Sequence, residues 1–263
     1  MKKISRRNFL GNTAAASAAG LLVPTSFFHA SPHGEETKQS TRPKVLFFDV
    51  NETLLDLTPM KKSVGDALNG RADLLSLWFT TMLHYSLVST VANQYHDFGA
   101  VGAAALIMVG KNNGITLTED QAKAAIKPIL SLPPHIDVLA SLARLKQAGF
   151  KMVSFTNSSS KAVAAQLENA RLTSYFDAQL SIEEIGKFKP HADAYSWAAR
   201  KMGIAPQECM LIAAHGWDVA GAQWAGWRTA FLSRPGQQLY PLAAEPEFTA
   251  PHLGKLSDVL VAL

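Results

Sequence analysis

Apolar residues in this chain fall into short blocks that alternate with helical stripes from Lys44 onward. Val45 to Val50 (VLFFDV) is a continuous apolar, β-branched and aromatic run with an aspartate at its end, the profile of a strand buried on both faces of a parallel sheet. Val138, Leu139, Leu142 and Leu145 recur at helical spacing and stop at Gly149, a helix-ending residue, after which Lys151 to Phe155 reads as a second buried strand. The order then repeats: helix 159–169, strand 178–182, helix 191–202, strand Met210 to Ala214, helix 217–225 and strand Thr229 to Leu232. Such alternation predicts βαβ units, hence an α/β fold with a doubly wound parallel sheet. Ligands of these sheets bind beyond the carboxyl ends of the strands, where Asp49, Thr156 and His215 fall.

Residues 59–130 break the alternation. Leu74, Leu75, Trp78, Met82 and Tyr85 share one helical stripe, and Val101, Ala105, Leu106 and Met108 suggest a second helix closed by Lys111-Asn112-Asn113-Gly114. Thr118 with Gln121 three residues later has the form of a capping box for a third. The predicted organisation is a core of residues 44–58 and 131–263 with a helical cap of residues 59–130 inserted between the first two strands. A cap over the crevice would exclude water from it; the alternative is that these helices simply cover the sheet.

The first 30 residues read as an address. Lys2, Lys3, Arg6 and Arg7 precede the small and apolar run Ala14 to Val23, and Phe28-His29-Ala30 comes before Ser31-Pro32, the order of a secretory signal. The arginine pair with Phe9 and Leu10 behind it resembles a twin-arginine export signal, which implies a periplasmic protein exported already folded. A ten-residue apolar run is too short for a bilayer, which needs about 20, so no stable membrane insertion is expected. An N-terminal anchor or a chance arginine pair is the alternative. Residues 31–43, rich in Ser, Thr, Pro and charge, read as a linker. Without those four basic residues the 25 Lys and Arg become 21, against 21 Asp and Glu, so the rest of the chain has no electrostatic footprint for nucleic acid. The lone Cys209 excludes an internal disulfide.

Chemistry concentrates after the strands. Asp49, at the end of the first, is a candidate nucleophile for an ester-forming reaction. Asp49-x-Asn51-x-Thr53-Leu54 resembles the first motif of the haloacid dehalogenase superfamily, and three further segments resemble its other motifs in order: Phe155-Thr156-Asn157-Ser158, Lys187-Phe188-Lys189-Pro190 and His215-Gly216-Trp217-Asp218. Four motifs in order on a matching strand pattern make a specific signal, whereas the first alone is weak. The resemblance implies a Rossmann-like core with an inserted cap and a catalytic aspartate.

Position 51 points to a branch of the superfamily. Phosphatases of the superfamily carry an aspartate two residues after the nucleophile to protonate the leaving alkoxide, and an amide there forfeits about 10²- to 10⁴-fold. Halide leaves without a proton, so Asn51 suits a dehalogenase. The class II 2-haloacid dehalogenases resemble the chain most closely. By that resemblance Asp49 displaces halide from a short 2-halo acid and water hydrolyses the ester; Lys189 holds Asp49 ionised; Thr53 and Thr156 supply hydroxyls to Asp49 and to the substrate, with Asn157 beside them; Tyr195 pairs with Lys189 and, like Asn51, borders the substrate; Asp218 orients Lys189 or the water. Tyr195 and Trp217 equally suit core aromatics, and Thr53 a turn cap. No metal or other cofactor is expected, because Asp49 and Asp218 are the only matched carboxylates and Lys189 competes for their charge.

Three residues depart from the pattern. Phe79 stands where the family has an arginine after Leu-Trp (here Leu77-Trp78), removing the main cation for substrate carboxylate or halide, and Ala213 and His215 replace a serine and an asparagine. His215 is then a candidate base for ester hydrolysis, or a histidine satisfied at a helix N-terminus. Leu57, Trp78, Phe79 and Met82 are the expected apolar pocket, and exposed cap aromatics suit a homodimer. The rival readings are a Mg-dependent phosphatase, for which Glu52 and Asp56 are the only nearby spare acids and Glu52 should point elsewhere on the turn, and an exported binding protein without catalysis.

Overall fold

A computed structural model of the protein describes residues 41–263; the predicted signal and residues 31–40 of the predicted linker lie outside that range. Six parallel strands form one sheet in the order β3-β2-β1-β4-β5-β6, with β1 at Val45–Phe48, β2 at Lys151–Thr156, β3 at Ala178–Ser181, β4 at Cys209–Ala213, β5 at Arg228–Leu232 and β6 at Phe248–Ala250. This is the predicted doubly wound α/β sheet. Leu46, Phe47 and Phe48 of the central strand are wholly buried, and each such side chain contributes about 1.5–3 kcal/mol by leaving water. The strand order reverses between β1 and β4, which opens a crevice at their carboxyl ends.

Between β1 and β2 the chain is helical: α1 (Met60–Ala67), α2 (Leu75–Val91), α3 (Phe98–Asn112) and α4 (Glu119–Ile126), then α5 (Val138–Gln147) leading into β2. α4 starts with the expected capping box, Thr118 and Gln121 exchanging side-chain and backbone hydrogen bonds. The stripe on α2 is buried at Leu75, Trp78 and Met82, but Tyr85 is exposed, because the helix turns its Ser86 and Thr90 inward instead. Thr90 Oγ1 accepts from the Phe188 N–H at 3.1 Å and so ties α2 to the loop before Lys189. Ala72–Val91 is apolar and long enough to cross a membrane by composition, and α2 packs along α3.

After β2 follow α6 (Ser160–Asn169), α7 (Ala192–Met202), α8 (Gly216–Trp224) and α9 (Leu253–Val261). Helix α1, strand β6 and helix α9 have no counterpart in the sequence reading. α9 packs on α5, and the buried Arg234 lies at this junction. It donates to both oxygens of Asp137, at 2.7 and 3.1 Å, and to the carbonyl of Thr53 at 3.1 Å, while Asp137 also accepts from the Leu253 N–H at 2.7 Å. His135 Nε2 meets the carbonyl of Glu52 at 2.9 Å. The turn that follows β1 is therefore clamped from behind.

Removing one partner of this nearly buried pair leaves the other charge unpaired. Arg234→Met is expected to lower the unfolding free energy by about 3–5 kcal/mol in urea titration, and Arg234→Met with Asp137→Leu to recover part of the loss.

Candidate active site

Asp49 sits on the first residue past β1, its N–H still bonded to the Ile212 carbonyl of the neighbouring strand. The turn beyond it is unusual at Glu52, whose φ of 61° is in the left-handed region that favours glycine. Holding a non-glycine residue there costs about 1–2 kcal/mol, and the contacts of its side chain offset that cost. Glu52 Oε2 lies 2.7 Å from His215 Nε2, and Oε1 accepts from Gln237 Nε2 at 3.4 Å. The sequence-based expectation that Glu52 points elsewhere is corrected: the left-handed backbone swings its carboxylate into the site.

Asp49 has three donors. Lys189 Nζ reaches Oδ1 at 3.1 Å, while Thr53 Oγ1 at 2.7 Å and His215 Nδ1 at 3.2 Å reach Oδ2. Burial alone would raise its pKa, but Lys189 and His215, with the hydroxyl of Thr53, hold the carboxyl well below the usual carboxylate range. Thr53 is more than a turn cap, since its oxygen also accepts the Ala214 N–H at 2.9 Å and so joins the nucleophile turn to the end of β4.

Lys189 is fully buried, and all three of its hydrogens are used: on Asp49, on Asp218 Oδ2 at 2.6 Å and on the Phe155 carbonyl at 2.9 Å. Burial opposes its charge, but Asp218 and Asp49 together raise its pKa, so it stays an ammonium. Asp218 is raised, by burial first and then by the charge of Asp49, with Lys189 opposing. Tyr195 donates to Asp218 Oδ1 at 2.6 Å, not to Lys189, and is wholly buried behind that carboxylate; its assignment to Lys189 and to substrate contact is corrected. Tyr195 packs close against Gly221, where an added Cβ would lie 2.6 Å from the tyrosine oxygen and 2.4 Å from Pro190.

The residues after β2 shape the loops. Asn157 Oδ1 accepts the Lys189 N–H at 2.9 Å and its Nδ2 donates to the Lys189 carbonyl at 3.4 Å, so it brackets the lysine. Thr156 Oγ1 accepts from the Ser158 N–H at 3.1 Å, which folds the loop after β2 back on itself. Asn51 donates to Ser158 Oγ at 3.2 Å and accepts from Gln166 Nε2 at 2.9 Å; neither partner was legible in the sequence.

His215, the residue before α8, is not the base that its position suggests. Burial would lower its pKa, yet the hydrogen bonds and charges of Asp49 and Glu52 lift it to about 10, so it is an imidazolium at neutral pH. Phe79 and Trp217 stack on it, with ring centres 6.1 and 5.1 Å away and planes 22° off parallel in each case, an arrangement that favours a cation. Phe79 thus covers a cation instead of lining the pocket. A cavity of about 800 Å³ lies beside the site, with Trp78, Met82, Phe98 and Ile107 on its walls and Ser158 and Gln166 at the side facing Asn51. Of the residues expected around the substrate, Trp78 and Met82 line it, whereas Leu57, Phe79 and Asp49 itself do not, so the cavity stands beside Asp49 and not over it. Trp78 is anchored by its Nε1–H to the Gly102 carbonyl at 2.9 Å. Among the described residues no group of three or more His, Cys, Asp or Glu side chains is placed to hold a metal ion; Lys189 Nζ occupies the space between the two aspartates.

The imidazolium has a thermodynamic signature. Its folded-state pKa of about 10 exceeds the ordinary 6.5, so its contribution to stability is complete below pH 6.5 and is lost as pH rises toward 10. Between those values the melting temperature of the wild type is expected to fall with pH more steeply than that of His215→Asn, measured by differential scanning calorimetry.

The profile of haloacid dehalogenase-like hydrolases matches residues 43–226. The (S)-2-haloacid dehalogenase H-109 of Pseudomonas putida is 28% identical over 217 residues, which cover 82% of this chain and 97% of that protein. The (S)-2-haloacid dehalogenase of Xanthobacter autotrophicus is 28% identical over 237 residues, covering 81% and 93%. The solved L-2-haloacid dehalogenase of Xanthobacter autotrophicus superimposes with a TM-score of 0.78 at 26% identity, over 83% of this chain and 98% of that one. An aspartate ending the central strand, a lysine bridging it to a second aspartate and this profile match lead to one assignment: the chain belongs to the haloacid dehalogenase-like hydrolase family.

Proposed function

We propose that this protein is a hydrolytic dehalogenase of short 2-haloalkanoic acids, with Asp49 as nucleophile. The observation that carries the reading is the unequal surroundings of the two Asp49 oxygens: Oδ2 accepts two hydrogen bonds, whereas Oδ1 meets only Lys189 at 3.1 Å. Oδ1 therefore keeps a lone pair for attack. In-line attack on C2 expels halide, inverts that carbon and leaves an ester on Asp49. Water then adds to the Asp49 carboxyl carbon, and the bond from that carbon to Oδ1 breaks. Lys189 Nζ, 3.1 Å from Oδ1, passes a proton to Asp218 Oδ2 at 2.6 Å as it accepts one from the water, and the pair returns that proton to Oδ1 as the 2-hydroxy acid departs.

The phosphatase alternative lacks the carboxylic acid two residues after Asp49 that would protonate a leaving alkoxide. The side chain of Asn51 is held by Ser158 and Gln166, and Glu52 is turned onto His215. Glu52, Asp49 and Asp218 outnumber Lys189 and His215 by one charge, and Phe79 adds no cation, so anionic substrates are expected to bind weakly, with KM at or above the upper end of the usual range of about 1 μM to 1 mM.

We further read residues 59–130 as a cap, supported by the approach of Phe79 to His215, and residues 1–30 as an export signal to the periplasm, supported by their order of basic, apolar and small residues. The exposed Leu77, Tyr85, Val88 and Val91 on α2 support a homodimer.

The test is halide release from 2-chloropropionate and 2-bromopropionate in the presence of EDTA. The wild type should release halide from both, and Asp49→Asn should lower the rate at least about 10³-fold. Magnesium-dependent cleavage of a phosphate monoester with no halide release would overturn the assignment.

A further inference from the structure

Both nitrogens of His215 face carboxylates: Nδ1 is 3.2 Å from Asp49 Oδ2 and Nε2 is 2.7 Å from Glu52 Oε2. An ionised carboxylate only accepts hydrogen bonds, so each nitrogen must carry a hydrogen for both contacts to be made. The ring is thus fixed as a donor toward Asp49. The charged groups in contact with it are Asp49 and Glu52, and the rings of Phe79 and Trp217 stack on it.

Two donors, Thr53 Oγ1 and His215 Nδ1, converge on the Asp49 oxygen that does not attack. Once Oδ1 has taken up the substrate carbon, Oδ2 becomes the carbonyl oxygen of an ester and still faces both of them. Addition of water to the carboxyl carbon then moves a full negative charge onto Oδ2. Donors on this atom gain strength when charge develops there, which is the condition for lowering the barrier.

We propose that His215 Nδ1 and Thr53 Oγ1 form the oxyanion site for hydrolysis of the Asp49 ester, and that Glu52 is the positioning residue that holds His215 in its donating form. The inference rests on the dehalogenase reading, because it requires an ester at Asp49. The step is balanced. Water loses one proton to the Lys189–Asp218 pair, and the tetrahedral adduct carries its charge on Oδ2. The bond from the carboxyl carbon to Oδ1 breaks, the pair returns a proton to Oδ1 of the departing 2-hydroxy acid, and the regenerated Asp49 carboxyl releases one proton to solvent. The strained left-handed backbone at Glu52 fits the same role, since that conformation is what aims its carboxylate at Nε2.

Displacement and hydrolysis can be separated by rapid-quench kinetics with 2-bromopropionate, following bromide and the mass of the intact protein together. For His215→Ala the expected result is a retained burst of about one bromide per active site. Steady turnover then falls about 10²- to 10³-fold, the loss typical of removing one oxyanion donor, and the esterified enzyme accumulates. Glu52→Gln, which leaves a side chain of the same size beside Nε2, should accumulate the ester as well, with turnover between that variant and the wild type; it decides the matter if His215→Ala does not fold. A smaller burst in proportion to turnover, or an esterified fraction no higher than in the wild type, would overturn the proposal. Absence of bromide release from the wild type itself would remove the dehalogenase reading first, and this inference with it.

Discussion

Everything near the catalytic crevice depends on one buried ammonium. The side chain of Lys189 has no exposure to solvent, and moving such a charge out of water costs several kcal/mol unless its hydrogens are all matched. Its three partners come from three elements: Asp49 after β1, the Phe155 carbonyl on β2 and Asp218 on α8. The lysine therefore fixes the separation of those elements as well as the charge of Asp49. Its own backbone is held on both sides by Asn157, and the neighbouring Phe188 N–H is held by Thr90 of α2. The two aspartates around it differ in kind. Asp49 keeps a free lone pair and a small opening to solvent, while Asp218 is sealed by Tyr195 and serves the lysine.

A second cation balances the other side of Asp49. A histidine at the start of α8 is braced there between two carboxylates, under the rings of Phe79 and Trp217. Positive charge thus flanks Asp49 on both oxygens, Lys189 on Oδ1 and His215 on Oδ2.

The fold was legible because continuous apolar runs mark the strands of a parallel sheet buried on both faces and period-3.6 stripes mark the helices between them, and the site because its residues follow strand ends in order. Other features could not be read along the chain. Glu52 looks like a solvent-facing turn residue until its φ of 61° reverses the direction of its side chain. Tyr195 lies six residues after Lys189, yet it bonds Asp218, because the close approach allowed by Gly221 brings α7 against α8. The inward Ser86 and Thr90 hide the polar purpose of an apolar-looking helix. Strand β6 is only three residues long and left no signal of its own, whereas α9 does carry a helical stripe, Leu253, Leu256 and Leu260, that went unread.

The clamp behind the nucleophile turn also defines how much chain this chemistry needs. Arg234, which grips the Thr53 carbonyl, Gln237, which touches Glu52, and the main chain at Gln238 and Leu239, which lies so close to Gly216 that a Cβ there would overlap it, all come after the segment shared with the wider family. A chain shortened to residue 226 would keep every motif and lose the backing that sets their spacing. The portable unit of this enzyme therefore extends through α9, and grafting its motifs onto another scaffold would transfer the reacting atoms without the frame that holds them.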